Sequence, residues 1–244
     1  MLSYKGSLRD EVKLKMTKFK INAILLAIIT LFFTACSEDG NSWSAKDVCP
    51  EDGVNAYGMP NRGTFTDERD GQVYKYTTIG DQVWMAQNLN HVAEYSACYD
   101  NDEQNCSFWG RLYSLQENGE KGAILDYTLV DSICPIGWHV PTITEWDILV
   151  SLFGKYNDES TAKKIKATEL WNDDNAGGNG TDECGFRAIP AGEHDGWDHH
   201  DMYRYATFWA STMANSGKAN AIIISGKISS LISEPQMSIR CIKD

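Results

Sequence analysis

The sequence predicts an α+β domain, and three observations carry the prediction. Segments rich in β-branched and aromatic residues lie on both sides of a middle region with helical periodicity. That order, strands then helices then strands, is the signature of segregated α+β architecture rather than alternating βαβ units. Six cysteines between Cys49 and Cys241 offer staples for such a fold.

In chain order, Met16-Thr17-Lys18-Phe19-Lys20 is a short basic segment that runs into Ile21–Phe33, thirteen residues in which only Asn22 and Thr30 are polar. A bilayer-spanning helix needs about 20 apolar residues, so the run is too short to span. A basic start, a short apolar core and small residues before a cut make a signal peptide. Thr34-Ala35-Cys36 completes it as a lipobox, with Phe33 where Leu is usual, and Cys36 is the expected lipidated thiol. Residues 1–35 are therefore set aside from the fold, with Met16 as the expected true start. Residues 36–66 read as a lipid-anchored tether. They contain Pro50, Pro60 and scattered Gly with little periodicity, and Ser37-Glu38-Asp39 resembles an acidic export tag.

The domain proper is expected over 67–244, with order starting near Asp70-Gly71. Val73–Ile79, the Gly80-Asp81 turn and Val83–Met85 predict a β-hairpin. Phe108–Leu115 is expected as a short helix. The clearest helix follows Pro141: Thr142 and Glu145 form a capping box, Trp146, Leu149, Val150 and Phe153 fall at i, i+3, i+4 and i+7, and Gly154 stops it. A weaker helix is expected over Thr161–Leu170. From Thr207 the pattern is β: 207–211, 219–225, 227–232 and 237–242, with a turn at Ser225-Gly226.

Charge and cysteine usage narrow the function classes. The chain carries a formal net charge of −12. Residues 1–35 hold six of its 22 Lys/Arg and two of its 34 Asp/Glu, so the remaining 209 residues carry −16. Such a surface repels phosphate backbones, which excludes nucleic acid as the expected partner. Of seven cysteines, six remain beside Cys36, an even number in an exported chain, which is read first as disulfides. Cys98 and Cys106 enclose a short polar loop and are expected to pair locally. No C-x-x-C or Cys/His spacing fits zinc.

Six separated blocks, read together, resemble one family: Ile79-Gly80-Asp81-Gln82-Val83-Trp84-Met85-Ala86-Gln87-Asn88-Leu89-Asn90, Trp109-Gly110-Arg111-Leu112-Tyr113, Ile133–Thr142 with Glu145-Trp146, Gly185–Gly192, Phe208–Thr212, and Ser238–Asp244. Over roughly 67–244 the chain resembles the Fibrobacter succinogenes major paralogous domain. The resemblance implies a C-type-lectin-like fold related to the sulfatase-modifying, formylglycine-generating enzymes, in lipoproteins of unknown biochemical activity. It also implies a Cys134–Cys241 bridge. Cys184 departs from the family pattern, and Cys49 is its candidate partner.

Candidate sites are weighed against simpler accounts. The loop 172–183 is dense in oxygen ligands, and Asp173, Asp174 and Asp182 are its candidate calcium carboxylates, although Asn, Asp and Gly are what any exposed loop prefers. Trp171-Asn172-Asp173 matches a lectin calcium motif, yet the partner-like Glu234-Pro235-Gln236 lies downstream of it rather than upstream. His194, Asp195, Asp198, His199, His200 and Asp201 could ligate a transition metal, and a polar loop is the simpler account. Trp197, Tyr203, Tyr205 and Trp209 are candidate rings for stacking on a sugar, or else core residues. The sulfatase-modifying enzymes use closely spaced late cysteines, whereas Cys184 and Cys241 stand 57 residues apart. No Ser-His-Asp elbow or phosphate-binding Gly loop is present.

The resulting expectation is a non-catalytic binding domain on an outer-membrane, surface-facing lipid anchor, with polysaccharide or another surface protein as partner and no cofactor beyond possible calcium. An enzyme akin to the formylglycine-generating oxidases and a purely structural envelope protein are the alternatives.

Overall fold

The computed structural model describes residues 43–94, 96–114, 130–195, 197–214, 219–233 and 235–244. The signal segment and Cys36 lie outside them. Ser44–Asp244 forms one compact unit. Among the described residues, no helix is long and apolar enough to cross a membrane.

Order begins well before the expected Asp70. Helix α1 (Ala45–Val48) leads to Cys49, which is buried and bonded to Cys184. Strand β1 (Arg62–Thr66) then pairs antiparallel with β2 (Val73–Ile79), Phe65 facing Tyr74 across the ladder. Residues 44–66 of the segment read as tether are therefore bound into the domain. Sequence periodicity missed it because β1 is only five residues long and half-exposed.

A five-stranded antiparallel sheet runs β1-β2-β3-β13-β6, with β3 at Gln82–Met85, β6 at Trp138–His139 and β13 at Ile242–Lys243. The expected hairpin of β2 and β3 is present, its register set by Ile79↔Gln82. A six-stranded sheet runs β11-β10-β9-β12-β5-β4, using Ser96–Ala97 (β4), Leu112–Tyr113 (β5), Ala206–Met213 (β9), Ala219–Ile224 (β10), Ile228–Ser233 (β11) and Met237–Ser238 (β12). Its pairs are antiparallel except β9 with β12. A separate hairpin joins β7 (Glu193–His194) and β8 (His199–His200).

The short helix expected at Phe108–Leu115 lies earlier. Asp102 accepts a hydrogen bond from the Gln104 N–H and starts α2 at Glu103–Trp109, after which Leu112–Tyr113 is strand. Gly110 ends α2 at φ +77°, and a Cβ there would stand 2.6 Å from the Asn88 Cβ, so both conformation and space demand glycine. A one-turn helix, α3 (Val130–Ile133), precedes Cys134. The main helix α4 (Ile143–Phe153) has its full capping box and ends at Gly154 as expected. The weaker helix α5 covers Glu159–Ile165 and stops short of Leu170, because Lys166 turns extended and its neighbour Ala167 bonds to Ala188 instead. The fold is thus α+β with three disulfides: Cys49–Cys184, Cys98–Cys106 and Cys134–Cys241.

Aromatic residues bring the two large sheets and α4 together. Trp84 of β3, Trp146 of α4, Phe186 and Phe208 of β9 are all fully buried, with ring centroids 4.8 to 6.2 Å apart along the cluster. Trp209, expected as a possible sugar platform, is a core residue: it is fully buried and its indole N–H donates to the Tyr113 carbonyl at 2.7 Å. In a strand buried on both faces, an aromatic ring has no route to solvent.

Candidate functional site

Where the start of β2 and the segment after β3 meet α2, a cleft of about 160 Å³ opens. The segment after β3 supplies Gln87, Asn88 and Asn90, α2 supplies Ser107 and Phe108, and Gly110, Arg187 and Arg240 complete it. Gly110 is what allows α2 to approach Asn88 so closely. The carboxamides divide into structural and open groups. Asn88 is buried and donates to the Trp109 carbonyl at 2.9 Å and to Ser238 Oγ at 3.2 Å. Among the described residues Gln87 uses only its oxygen, accepting from the Lys75 N–H at 2.8 Å. The Asn90 carboxamide and the Ser107 hydroxyl have no hydrogen-bond partner among the described residues.

Phe108 forms the apolar rim. Its ring is half-exposed and meets Trp109 edge-on at 4.9 Å, and Tyr203, also well exposed, meets Trp109 edge-on at 5.5 Å. The Arg187 guanidinium lies 6.0 Å above the Phe108 ring. Two exposed rings thus flank a buried tryptophan beside a set of open amides and hydroxyls.

Arg240 forms the floor. Entirely buried, it donates to the Phe186 carbonyl, to Asn88 Oδ1 at 2.5 Å and to the Arg187 carbonyl at 3.3 Å. Its guanidinium packs over Phe186 and Phe208 at 4.4 and 5.1 Å. Burial pulls its pKa down to about 9, which still leaves it charged at neutral pH.

A family profile described as the Fibrobacter succinogenes major domain matches residues 77–243. The chain belongs to that family. No curated protein and no solved structure matches the chain. The family match opens inside β2, so β1 and the Cys49 staple precede it, while most of the cleft, from Gln87 to Arg240, falls within the major domain.

The other expected sites of this major domain chain are placed as follows. Trp197 stands 90% exposed at the tip of the β7–β8 hairpin. Tyr205 is half-buried, its backbone N–H on the Asp201 carbonyl, and is not among the residues lining the cleft. Of the calcium carboxylates, Asp174 is ion-paired to Arg204 at 2.9 Å, Asp182 accepts from the Arg187 N–H at 2.7 Å, and Asp173 lies against Gly178. None of the three belongs to a described group of three or more metal-ligating donors. The interior of their loop is held instead by the buried Lys166 ammonium, which donates to the Ala176 carbonyl at 2.6 Å and packs 4.2 Å from the Trp171 ring, a poor neighbour for a divalent cation.

The histidine-rich hairpin splits by strand alternation. Cross-strand partners Glu193 and His200 share one face, and partners His194 and His199 the other, with their rings 4.3 Å apart. Glu193, His200 and Asp201 bring donor atoms within 4.8 Å of one another, and His200 Nδ1 is already hydrogen-bonded to Asp201 Oδ2 at 2.8 Å. Elsewhere, His139 lies between Glu145 (2.9 Å) and Asp244 (2.7 Å). The bond to Glu145 raises its pKa to about 9, against the opposing effect of burial and with Asp244 adding to the rise. Glu145 thus caps α4 and holds His139 at once.

Sequence reasoning named neither Arg187 nor Arg240 as a site residue and placed Phe108 only as the start of a helix. The signal was available: an arginine inside Ser238-Ile239-Arg240-Cys241-Ile242, otherwise a buried run, has to find buried partners.

Proposed function

We propose that this domain is a non-catalytic binding module displayed at the cell surface on a lipid carried by Cys36, and that its ligand is a polysaccharide held at the amide-and-ring cleft. The observation that carries the reading is the pairing of unengaged amide and hydroxyl groups (Gln87 Nε2, Asn90, Ser107) with the exposed Phe108 ring. A sugar ring offers the complement, hydroxyls around its edge and C–H groups on its face. The cleft is smaller than the roughly 300–1,000 Å³ of sites that engulf a small molecule. It suits one unit of an extended chain, the remainder lying over Phe108 and Tyr203. All six cysteines between Cys49 and Cys241 are bridged, which supports a binding role over an oxidase that depends on reactive thiols.

Retention of the full chain on immobilised polysaccharides tests the reading. Phe108→Ala is expected to weaken retention about tenfold, equivalent to about 1.4 kcal/mol, with Tyr203→Ala showing a smaller loss and Trp197→Ala, remote from the cleft lining, serving as control. A chain that binds no polysaccharide, or that binds undiminished without Phe108, sinks it. In the native host, incorporation of labelled fatty acid that Cys36→Ser abolishes tests the anchor.

A further inference from the structure

We propose that the sugar unit taken by this cleft is anionic, a uronate whose carboxylate binds Arg187 above the buried charge of Arg240. The inference rests on the polysaccharide reading and specifies it. In a chain with a formal net charge of −12, the described lining of this cleft contains two arginines and no aspartate or glutamate. A local excess of positive charge against so acidic a background marks a place where an anion is favoured.

Arg240 is the buried source of positive charge. Its contacts among the described residues are two backbone carbonyls, one amide oxygen and two rings, all dipoles or quadrupoles, and its Nε has no hydrogen-bond partner among them. Among the described residues it makes no ion pair. Asp182, whose carboxylate accepts from the Arg187 N–H, is the acid whose charge bears on it, and it offsets Arg240 from beyond ion-pair distance, in part only. A buried charge without a contacting counter-ion is felt at the adjoining surface.

Arg187 is the group that reaches the ligand. It is about one-third exposed and uses Nη2 on Glu169 at 2.5 Å, while its Nη1 and Nε have no partner among the described residues. Its backbone sits at φ +53°, a sparsely populated conformation for a side chain of this size, held by the bond from its N–H to Asp182. That turn sets the guanidinium above Phe108, so that one side chain can take a carboxylate while the ring stacks on the sugar face. The flanking acids are occupied: Glu169 holds Arg187, and Asp70 accepts from His91 Nδ1 and Gln72.

Three probes presented to the full chain decide the matter: polygalacturonate, the same polymer fully methyl-esterified, and a neutral glucan. The acid form is expected to be retained at least tenfold more strongly than its ester, with retention falling as salt is raised. Arg187→Gln, checked for an unchanged melting temperature, is expected to remove that preference while leaving weak retention of the ester. Equal retention of acid and ester overturns the anionic assignment, an acid preference that survives Arg187→Gln overturns the placement of the carboxylate on Arg187, and both leave the polysaccharide reading standing. No retention of any of the three overturns both.

Discussion

His139 shows how a single side chain can set the pH range of the fold. Its imidazole bridges Glu145 and Asp244, and its pKa is raised to about 9 from an ordinary 6.5. A raised folded pKa means that the native state binds the proton more tightly, so this stabilisation is complete below about 6.5 and is lost as pH climbs through 9. Glu145 is lowered from 4.5: burial alone would raise it, but the bonds from His139 and Thr142 outweigh burial. Its contribution is present above 4.5 and fades as pH falls through the lowered value. Urea midpoints are therefore expected to be highest between about pH 4.5 and 6.5 and to decline by pH 9, and His139→Ala is expected to flatten the alkaline side. An unchanged alkaline slope in His139→Ala would place the titration elsewhere. At this scale the sequence was only partly legible. Glu145 was read correctly as a cap, because capping is local, but its second bond to His139, six residues earlier, needed the backbone path around Pro141. Trp209 could be read as a ring platform or as a core residue, and its burial was decided only by the placing of β9 between β10 and β12.

Among the elements, α4 was legible and α2 was not, and the difference is physical. The start of α4 is fixed by the Thr142 hydroxyl accepting from the Glu145 N–H at 3.2 Å, with Glu145 returning the bond to the Thr142 N–H at 2.7 Å, and an apolar stripe follows it. Thr142→Ala is expected to cost about 1 kcal/mol, read from the urea midpoint at constant slope, and Thr142→Ser to recover most of it. For α2 the apolar pattern pointed at 108–115, but the chain had to stop at Gly110 so that Leu112–Tyr113 could pair with β12 and β4. Tertiary pairing overrode a weak local preference. The same override hid β1, whose short ladder is recognisable only beside β2.

Across the molecule, the α+β class, the main helix and the local Cys98–Cys106 bridge were readable from the chain. The cleft was not, since its walls come from residues near 72, 88, 108, 187 and 240, which only the completed sheets bring together. The bridges hold that assembly. Cys134–Cys241 closes a separation of 107 residues, worth about 4–5 kcal/mol in the chain-entropy account. The Cys134→Ser/Cys241→Ser double variant is expected to lower the urea midpoint substantially. Replacing the Cys98–Cys106 pair, separated by eight residues, is expected to cost less. A reversed order of these two effects would show that native-state strain, rather than loop closure, governs them.

The position of β13 has one more consequence. Ile242 lies between Trp84 and His139, so the five-stranded sheet lacks the strand that joins β3 to β6 until position 242 has been synthesised. Earlier stretches of the chain can form local hairpins and helices, yet none can close this sheet alone, because its decisive pairings span more than a hundred residues. Until β13 is in place β3 and β6 stay unjoined, so a chain cut short of position 242 is expected to lose this sheet as a unit.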